Sequence, residues 1–258
     1  MSFDACAALV EQADPDRFHT ALLAPPERRG GLMALYAFNV EVARAPWVTQ
    51  EQMIAEMRLQ WWADAIDEIF DGKTPRQHEV VGPLAETIGL YNLPRAPFDK
   101  LIQERRADIY FDPPSSITAF HDYIDATSSG LMWLAALVCA NGCHLDETVI
   151  RKVGYANGVA SLFCALPELL AHDRKPFPSM ANPDLSKIAK DAFVRLTWAR
   201  TKRRAIPASV TPALIVAWQS EAFLSRIVSA PDAANANLQI SPFRKRWTLM
   251  LRAMIGRW

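Results

Sequence analysis

Helical periodicity is the feature of this sequence that most constrains its fold. Apolar residues recur at every third or fourth position over long segments, and no segment sustains an alternation of apolar and polar residues. A spacing of three and four places side chains on one face of an α-helix, whereas a half-buried strand needs a period of two. The sequence therefore predicts an all-α fold.

The starts of several helices are marked by a capping residue followed by proline, which suits the first helical position because its missing N–H would have no intrahelical acceptor. Four such pairs occur: Asp14-Pro15, Asn182-Pro183, Thr211-Pro212 and Ser241-Pro242. Other helices are expected at about 28–45, 79–91, 97–109, 116–140, 146–171, 184–204, 212–228 and 242–257. Together with the helix described next, the pattern indicates about ten helices.

The clearest predicted helix begins at Thr49 and ends at the Asp71-Gly72 pair. Its start is assigned to a capping box, in which the Thr49 hydroxyl and the Gln52 amide satisfy free backbone N–H groups. The expected buried stripe consists of Met53, Met57, Trp61, Ala65 and Ile69. Within the 116–140 segment, Ser128, Ser129 and Gly130 predict a kink or a close approach by a neighbouring helix.

Composition limits the class of protein. Half of the residues are hydrophobic, and 28 basic residues balance 28 acidic ones, so no overall field attracts nucleic acid and no nucleic-acid partner is expected. The loop at 229–241 is too short to separate two domains, which predicts a single domain over 1–258. The first residues lack the basic segment of a secretory signal, and the apolar run 131–140 is half of the ~20 residues that a bilayer span needs, so a cytoplasmic location is expected.

One segment resembles a family signature. Residues 28–47, RRGGLMALYAFNVEVARAPW, are similar to the opening motif Y-A-F-C-R-x-x-D-D-I-V-D of the squalene/phytoene synthase family, with Tyr36 as the first matching residue. In this register Ala43, Arg44 and Trp47 stand where the family has three aspartates. The resemblance implies the isoprenoid synthase fold, with its first set of metal ligands missing.

A second family signature, Q-x-x-N-I-L-R-D-V-x-E-D followed by G-R-x-Y-L-P, resembles GVASLFCALPEL at 158–169 and DRKPFP at 173–178. With Ser161 at the position of the family's asparagine, Ala165 and Leu169 stand at both aspartate positions. Three residues keep the family's letters: Glu168, Arg174 and Pro178. The second set of metal ligands is therefore missing too.

The helices between these signatures also match, so the resemblance extends over about 15–180. Arg58 and Trp62 fit an R-x-x-x-W helix, and Asp108 fits the acidic position of an M-x-x-D helix. Tyr123 and Gly130 resemble the tyrosine and glycine of a Y-x-x-x-A-x-x-V-G helix. The sharper similarity is to the branch of the family that contains a mitochondrial assembly factor for respiratory complex I. That branch also lacks the aspartates, and its F-N-V-E and M-R-x-Q-x-W motifs are both present here, the first ending at Glu41.

The missing aspartates bear on the chemistry that the resemblance implies. Active members of the family bind prenyl diphosphates through magnesium ions, which need carboxylate oxygens and neutralise the leaving diphosphate. Without these ligands the resemblance implies a non-catalytic protein that needs no cofactor and acts as an assembly or interaction factor for complex I. Two alternatives stay open: a prenyl diphosphate synthase with a changed site, which would use magnesium, and a carrier of an isoprenoid or another lipid.

The residues expected to line the remaining pocket are Tyr36, Glu41, Arg58, Trp62, Asp108, Tyr123, Glu168 and Arg174. Two acidic pairs have the i, i+4 spacing that could replace lost ligands: Glu104 with Asp108, and Asp64 with Glu68. Structural salt bridges and a solvated helix face explain these charges equally well. The aromatic cluster of Trp61, Trp62, Phe70 and Tyr36 is likewise either plain core or the wall of a cavity for an isoprenoid chain.

The segment 242–258 interleaves basic residues with tryptophan, methionine and leucine. That composition is typical of an amphipathic helix at a membrane interface, which would place the protein at the periphery of the inner membrane. A terminal helix packed on the rest of the chain with a basic solvent face is the alternative.

Overall fold

The computed structural model describes residues 3–49, 51–110, 112–140, 142–235, 241–256 and 258. Within these ranges the chain forms helices and no strand, which confirms the all-α prediction. The α-helices are α1 (Phe3–Ala13), α2 (Pro15–Ala21), α3 (Pro26–Arg44), α4 (Gln52–Phe70), α5 (Val81–Tyr91), α6 (Ala96–Arg105), α7 (Ala107–Tyr110), α8 (Ile117–Ile124), α9 (Gly130–Cys139), α10 (Glu147–Ala171), α11 (Asn182–Thr201), α12 (Thr211–Leu214), α13 (Ser220–Ser229) and α14 (Pro242–Met254). Short 3₁₀ segments connect the helices after α11.

The capping signals are confirmed at α2 and corrected at α4. Asp14 caps α2, and its side chain accepts a hydrogen bond from the backbone N–H of Arg17. The prediction that Thr49 begins the next long helix is wrong, because α4 begins at Gln52. The Thr49 hydroxyl instead accepts a hydrogen bond from the N–H of Glu51 at 3.1 Å, and so shapes the loop before the helix.

The buried face of α4 differs from the predicted stripe. Met53 and Met57 are 76% and 65% exposed. The buried residues are Ala55, Leu59, Trp62, Ala65 and Ile66. Apolar residues surround the first turns of α4, so its pattern is compatible with two registers. Packing selects the register that places Trp62 edge-on against Phe38 of α3, with ring centroids 5.5 Å apart.

The predicted irregularity in the 116–140 segment is a π-helical turn, Asp125–Ser129, between α8 and α9. Helix α10 packs closely against this turn. A Cβ atom added at Gly154 would lie 2.6 Å from the Cα of Ser129, and the Ser128 hydroxyl donates to the carbonyl of Gly154 at 2.8 Å. Only glycine permits this approach of the two backbones.

The two signature segments lie on α3 and α10, the central helices of the fold. Helix α3 packs against α1, α5 and α9, while α10 packs against α9, α11 and α13. In the part of the chain that the structure describes, α10 is the one helix long and apolar enough to cross a bilayer on length and composition. Its most apolar stretch is 56% buried among the other helices, as expected of a core helix.

Candidate functional site

A cavity of about 570 Å³ lies between the C-terminal ends of α3 and α10 and the residues around α7 and α8. Its wall contains four of the five residues at the family's aspartate positions: Ala43, Trp47, Ala165 and Leu169. The two signature helices therefore still face a common cavity, but they present apolar surface to it. The fifth residue, Arg44, is partly exposed and forms an ion pair with Glu41.

Arg174 connects three parts of the cavity wall. Its guanidinium donates to the carbonyl of Asp108 at 2.8 Å and to that of Pro46 at 3.1 Å. The same group stacks over the Trp47 ring, 3.8 Å from the centroid. Arg174 is 8% exposed, so the stacking and the hydrogen bonds compensate for removing its charge from water. The Arg174 guanidinium therefore closes this end of the site by stacking on Trp47, the residue at one of the family's aspartate positions.

Asp108, the acid of the cavity at a family motif position, is paired with its neighbours. Its Oδ2 atom lies 2.9 Å from Nη1 of Arg105 and accepts a hydrogen bond from the Tyr123 hydroxyl at 3.1 Å. Arg105 also donates to the Tyr123 oxygen at 2.6 Å. Burial raises the pKa of Tyr123, against the opposing effect of Arg105, which keeps the phenol protonated as a donor. The negative charge of Asp108 is therefore balanced by Arg105 within the cavity wall.

Glu104 is the other acid of this pair on the cavity wall. Burial raises the pKa of its carboxyl, and the nearby charges of Asp122 and Asp108 raise it further. The i, i+4 spacing of Glu104 and Asp108 thus places both in the wall. The environment disfavours a second negative charge there.

The second acidic pair, Asp64 and Glu68, lies elsewhere and belongs to a salt bridge. Arg76 donates from Nε to Oε2 of Glu68 at 2.7 Å and from Nη2 to Oε1 at 2.8 Å. Gln60 donates to Asp64 at 2.7 Å. The hydrogen bonding from Arg76 lowers the pKa of the Glu68 carboxyl, whereas desolvation raises it. The pair forms part of the outer surface of α4.

The structure brings three of the predicted pocket residues into this cavity: Asp108, Tyr123 and Arg174. Tyr36 and Trp62 lie in the core. The Tyr36 ring is buried beneath the guanidinium of Arg17, 5.7 Å away. Trp62 packs against other aromatic rings, as the plain-core interpretation of this aromatic cluster predicts.

The remaining predicted residues also lie outside this cavity. Glu41 is buried and paired with Arg44, which explains it structurally. Arg58 is exposed on the outer face of α4. Glu168 points to a different, smaller cavity of about 310 Å³.

That smaller cavity is polar and lies on the other side of α10. Ala165 lines both cavities, so the two are separated by one helix. Asp16 accepts hydrogen bonds there from Gln219 at 3.0 Å and from Lys245 at 3.2 Å. The sequence motifs did not predict these partners because Gln219 and Lys245 lie beyond the matched segments, although Glu168 and Asp14 line the same cavity.

The ligand set of the larger cavity does not fit magnesium. Ala43, Trp47, Ala165 and Leu169 offer no side-chain oxygen. Of the three acids in the wall, Asp108 is paired with Arg105, and burial raises the pKa of Glu104, which leaves Asp112. Among the residues that the structure describes, no group of three or more histidine, cysteine, aspartate or glutamate side chains is placed to hold a metal ion. Magnesium needs several oxygen ligands in near-octahedral geometry, so the family's ionisation step has no ion-binding counterpart in these residues.

Comparison with known proteins defines the class. The family model for squalene/phytoene synthase matches residues 10–181, and the chain belongs to this family. Solved structures agree on the fold. A squalene synthase, HpnC, from Alicyclobacillus acidocaldarius superposes with a TM-score of 0.73 at 19% identity, covering 89% of this chain and 94% of that one. A dehydrosqualene synthase superposes with a TM-score of 0.82 at 13% identity, covering 98% and 95%.

The relatives that are similar in sequence are named as assembly factors, whereas the two solved structures are named as synthases. The chain is 26% identical to bovine (Bos taurus) NADH dehydrogenase (ubiquinone) complex I, assembly factor 6, over 98% of this chain and 81% of that protein. The human (Homo sapiens) protein of that name is 26% identical over 86% and 72%. The Drosophila melanogaster homologue is 32% identical over 63% of this chain and 50% of that protein.

Proposed function

We propose that this protein is a non-catalytic member of the squalene/phytoene synthase family that acts in the assembly of respiratory complex I. The observation that carries the proposal is the apolar wall formed by Ala43, Trp47, Ala165 and Leu169 at the family's metal positions. Relatives that match most of the chain are named as assembly factors for that complex, which supports the same role. The partner of this protein would be a subunit or an assembly intermediate of complex I, which it would bind at the cytoplasmic side of the membrane.

The geometry disfavours the enzymatic alternative. Departure of diphosphate from a prenyl substrate needs cationic groups that stabilise the developing charge. In this cavity the two arginines are already committed: Arg105 to Asp108 and Tyr123, and Arg174 to two carbonyls and Trp47. A head-to-head prenyltransferase built on these residues would have to break those contacts or use Lys175, an exposed cation of the same wall.

A second candidate, binding of an isoprenoid or another lipid chain without chemistry, is favoured by the cavity itself. Its volume of about 570 Å³ falls in the range of small-molecule sites. Trp47, Leu162 and Leu169 supply apolar surface along it. This role is compatible with assembly, since a bound chain could stabilise the fold of an assembly factor.

The proposal is tested by deleting the gene in the source organism and measuring complex I content by native gel and NADH oxidation by isolated membranes. We expect both to fall and to recover with the wild-type gene. The informative variant combines Glu104→Gln with Asp108→Asn, which removes the charge of the Glu104–Asp108 pair, two of the three acids that line the cavity, while nearly preserving side-chain size. It should restore complex I as well as the wild type, because no acid is used in chemistry.

The controls separate the alternatives. Immunoblotting establishes that each variant accumulates. Succinate oxidation establishes that the rest of the respiratory chain is intact. Complex I unchanged by deletion would refute the assembly role. Failure of the stably accumulating double variant, with success of the wild type, would instead indicate that the carboxylates take part in a reaction.

A further inference from the structure

Helix α14 presents an apolar face to solvent. Four of its residues share one face of the helix, at spacings of three and four, and a fifth directly follows the helix. These residues, with their exposed fractions, are Trp247 (52%), Met250 (46%), Leu251 (43%), Met254 (76%) and Ile255 (60%). Such a continuous stripe of large apolar side chains is unusual on the outside of a folded protein. We call these five residues the outer stripe.

The opposite face of α14 holds the helix against the rest of the chain. Leu249 and Ala253 pack against the core. Lys245 pairs with Asp16 of α2 at 3.2 Å, and Arg252 lies 3.7 Å from Glu221 of α13. The described basic side chains of this helix therefore face inward, which is the reverse of the expected basic solvent face.

Contacts beyond the helix also fix its orientation. Trp258 is 2% exposed, and its backbone oxygen accepts hydrogen bonds from the side chains of Arg200 and Arg203. The Arg203 guanidinium also lies over the Trp258 ring, 4.9 Å from its centroid. With α14 held at both ends, the outer stripe faces outward because of specific contacts on the inner face.

Charge is distributed unevenly along the chain. Residues 200–258 contain ten lysines and arginines against two acidic residues, Glu221 and Asp232, a net charge of +8. Since the whole chain has 28 of each kind, residues 1–199 carry a net charge of −8. Exposed Lys202, Arg204 and Arg226 belong to the basic segment. A field of this kind attracts an extended anionic surface.

We propose that the outer stripe inserts into the interface of a bilayer containing anionic phospholipid, with α14 lying parallel to the membrane plane. The 13-residue helix is about 20 Å long, too short to span the hydrocarbon core and suited to lying in the interface. Trp247 provides the amphipathic ring that is favoured at headgroup depth. The net positive charge of residues 200–258, the segment that contains α14, provides attraction to acidic headgroups.

The test is co-flotation of the purified full chain with vesicles of phosphatidylcholine, with or without phosphatidylglycerol. We expect binding to the anionic vesicles that weakens as salt is raised. Changing Trp247→Glu together with Leu251→Glu should weaken it by at least about tenfold, because both apolar contacts are lost and two like charges are added. The matched control is Leu90→Glu on α5, which is also exposed (66%) and should bind as the wild type does.

The outcomes are separable. Circular dichroism and thermal unfolding verify that the double variant is folded. Equal binding by the double variant, or no binding of the wild type to either vesicle, would overturn the proposal. A wild-type dimer that the double variant dissociates, without vesicle binding, would assign the stripe to a second copy instead. The assay involves no complex I component, so its result is independent of the proposed assembly role.

Discussion

At the scale of single residues, Arg174 and Trp47 explain how the family's site is closed in this protein. One guanidinium binds two carbonyls and stacks on the indole, so a single side chain joins the end of α3, α7 and the loop after α10. Arginine suits this position because its planar group stacks and donates in several directions at once. Lysine has the charge but not that geometry.

We therefore expect Arg174→Lys to lower the free energy of unfolding by about 1–3 kcal/mol, the cost of a lost charged hydrogen bond and an unsatisfied buried carbonyl. Urea unfolding followed by circular dichroism measures it. The control Arg58→Lys, at an exposed position of α4, should change stability by less than about 0.5 kcal/mol. Equal stabilities of the two variants would contradict the structural role given to Arg174.

Glu104 is expected to make the stability of the protein depend on pH. Burial raises the pKa of this carboxyl above its ordinary value of 4.5, and Asp122 and Asp108 add to the effect. Just above that value the folded protein holds a proton that the unfolded chain has lost, so this group makes stability fall as the pH rises. Glu104→Gln removes this loss. The variant should gain stability relative to the wild type between pH 4 and pH 7, as measured by urea unfolding at both values. A gain that is larger at the acidic pH would show that the sign is wrong.

At the scale of elements, the contact between α10 and the π-helical turn sets the shape of the core. Gly154 lies against the backbone of Ser129, where an added Cβ would be 2.6 Å from its Cα atom. Backbone atoms cannot move aside as the end of a flexible side chain can. The cost of a methyl group there should exceed its benefit to helix propensity.

Gly154→Ala should accordingly destabilise the protein by about 1–3 kcal/mol, as expected for overpacking. Gly89→Ala on α5 is the matched control, since nothing lies within 4 Å of its added Cβ. That variant should be neutral or more stable by up to about 1 kcal/mol because alanine favours the helix. Thermal unfolding of both proteins decides the point, and a stabilised Gly154 variant would refute the close contact.

The register of α4 permits a second comparison. Leu59→Ala should cost about 2–5 kcal/mol because Leu59 is fully buried. Met57→Ala should cost less than about 0.5 kcal/mol because that side chain is 65% exposed. Denaturant unfolding of the two variants distinguishes the observed register from the predicted stripe, in which Met57 would be the costly position.

These elements show what the sequence could and could not predict. Periodicity and proline caps were sufficient for most helices, yet α1 was missed although Phe3, Cys6 and Val10 have helical spacing. The register of α4 was wrong because its first turns are apolar on more than one side, and only packing against Phe38 resolves that ambiguity. Local pattern does not contain the information about which neighbour a helix meets.

The candidate site was predictable to a similar extent. Motif register alone placed Ala43, Trp47, Ala165 and Leu169 together, and the structure finds all four on one cavity wall. The pairing of Arg105 with Asp108 and Tyr123 was not predicted, since it depends on how α6 and α8 pack. Distant segments meet there, and no spacing rule connects them.

At the scale of the whole molecule, the protein keeps the fold of prenyl synthases while its central cavity lacks their metal ligands. The cavity, the neutralised Asp108 and the Arg174 closure are all consistent with a scaffold. The outer stripe on α14, if it inserts as proposed, would bring this scaffold to a membrane surface. Fold alone does not determine function, so the account depends on the chemistry of the cavity.

The most direct measurement is therefore diphosphate release by the purified protein, incubated with magnesium or manganese and with farnesyl or geranylgeranyl diphosphate. A dehydrosqualene synthase serves as the active control under the same conditions. We expect no release above the protein-free blank, because apolar side chains stand at the family's metal-binding positions in the cavity. Metal-dependent release that is lost on Asp108→Asn would contradict it and would restore the protein to the enzymes of its family.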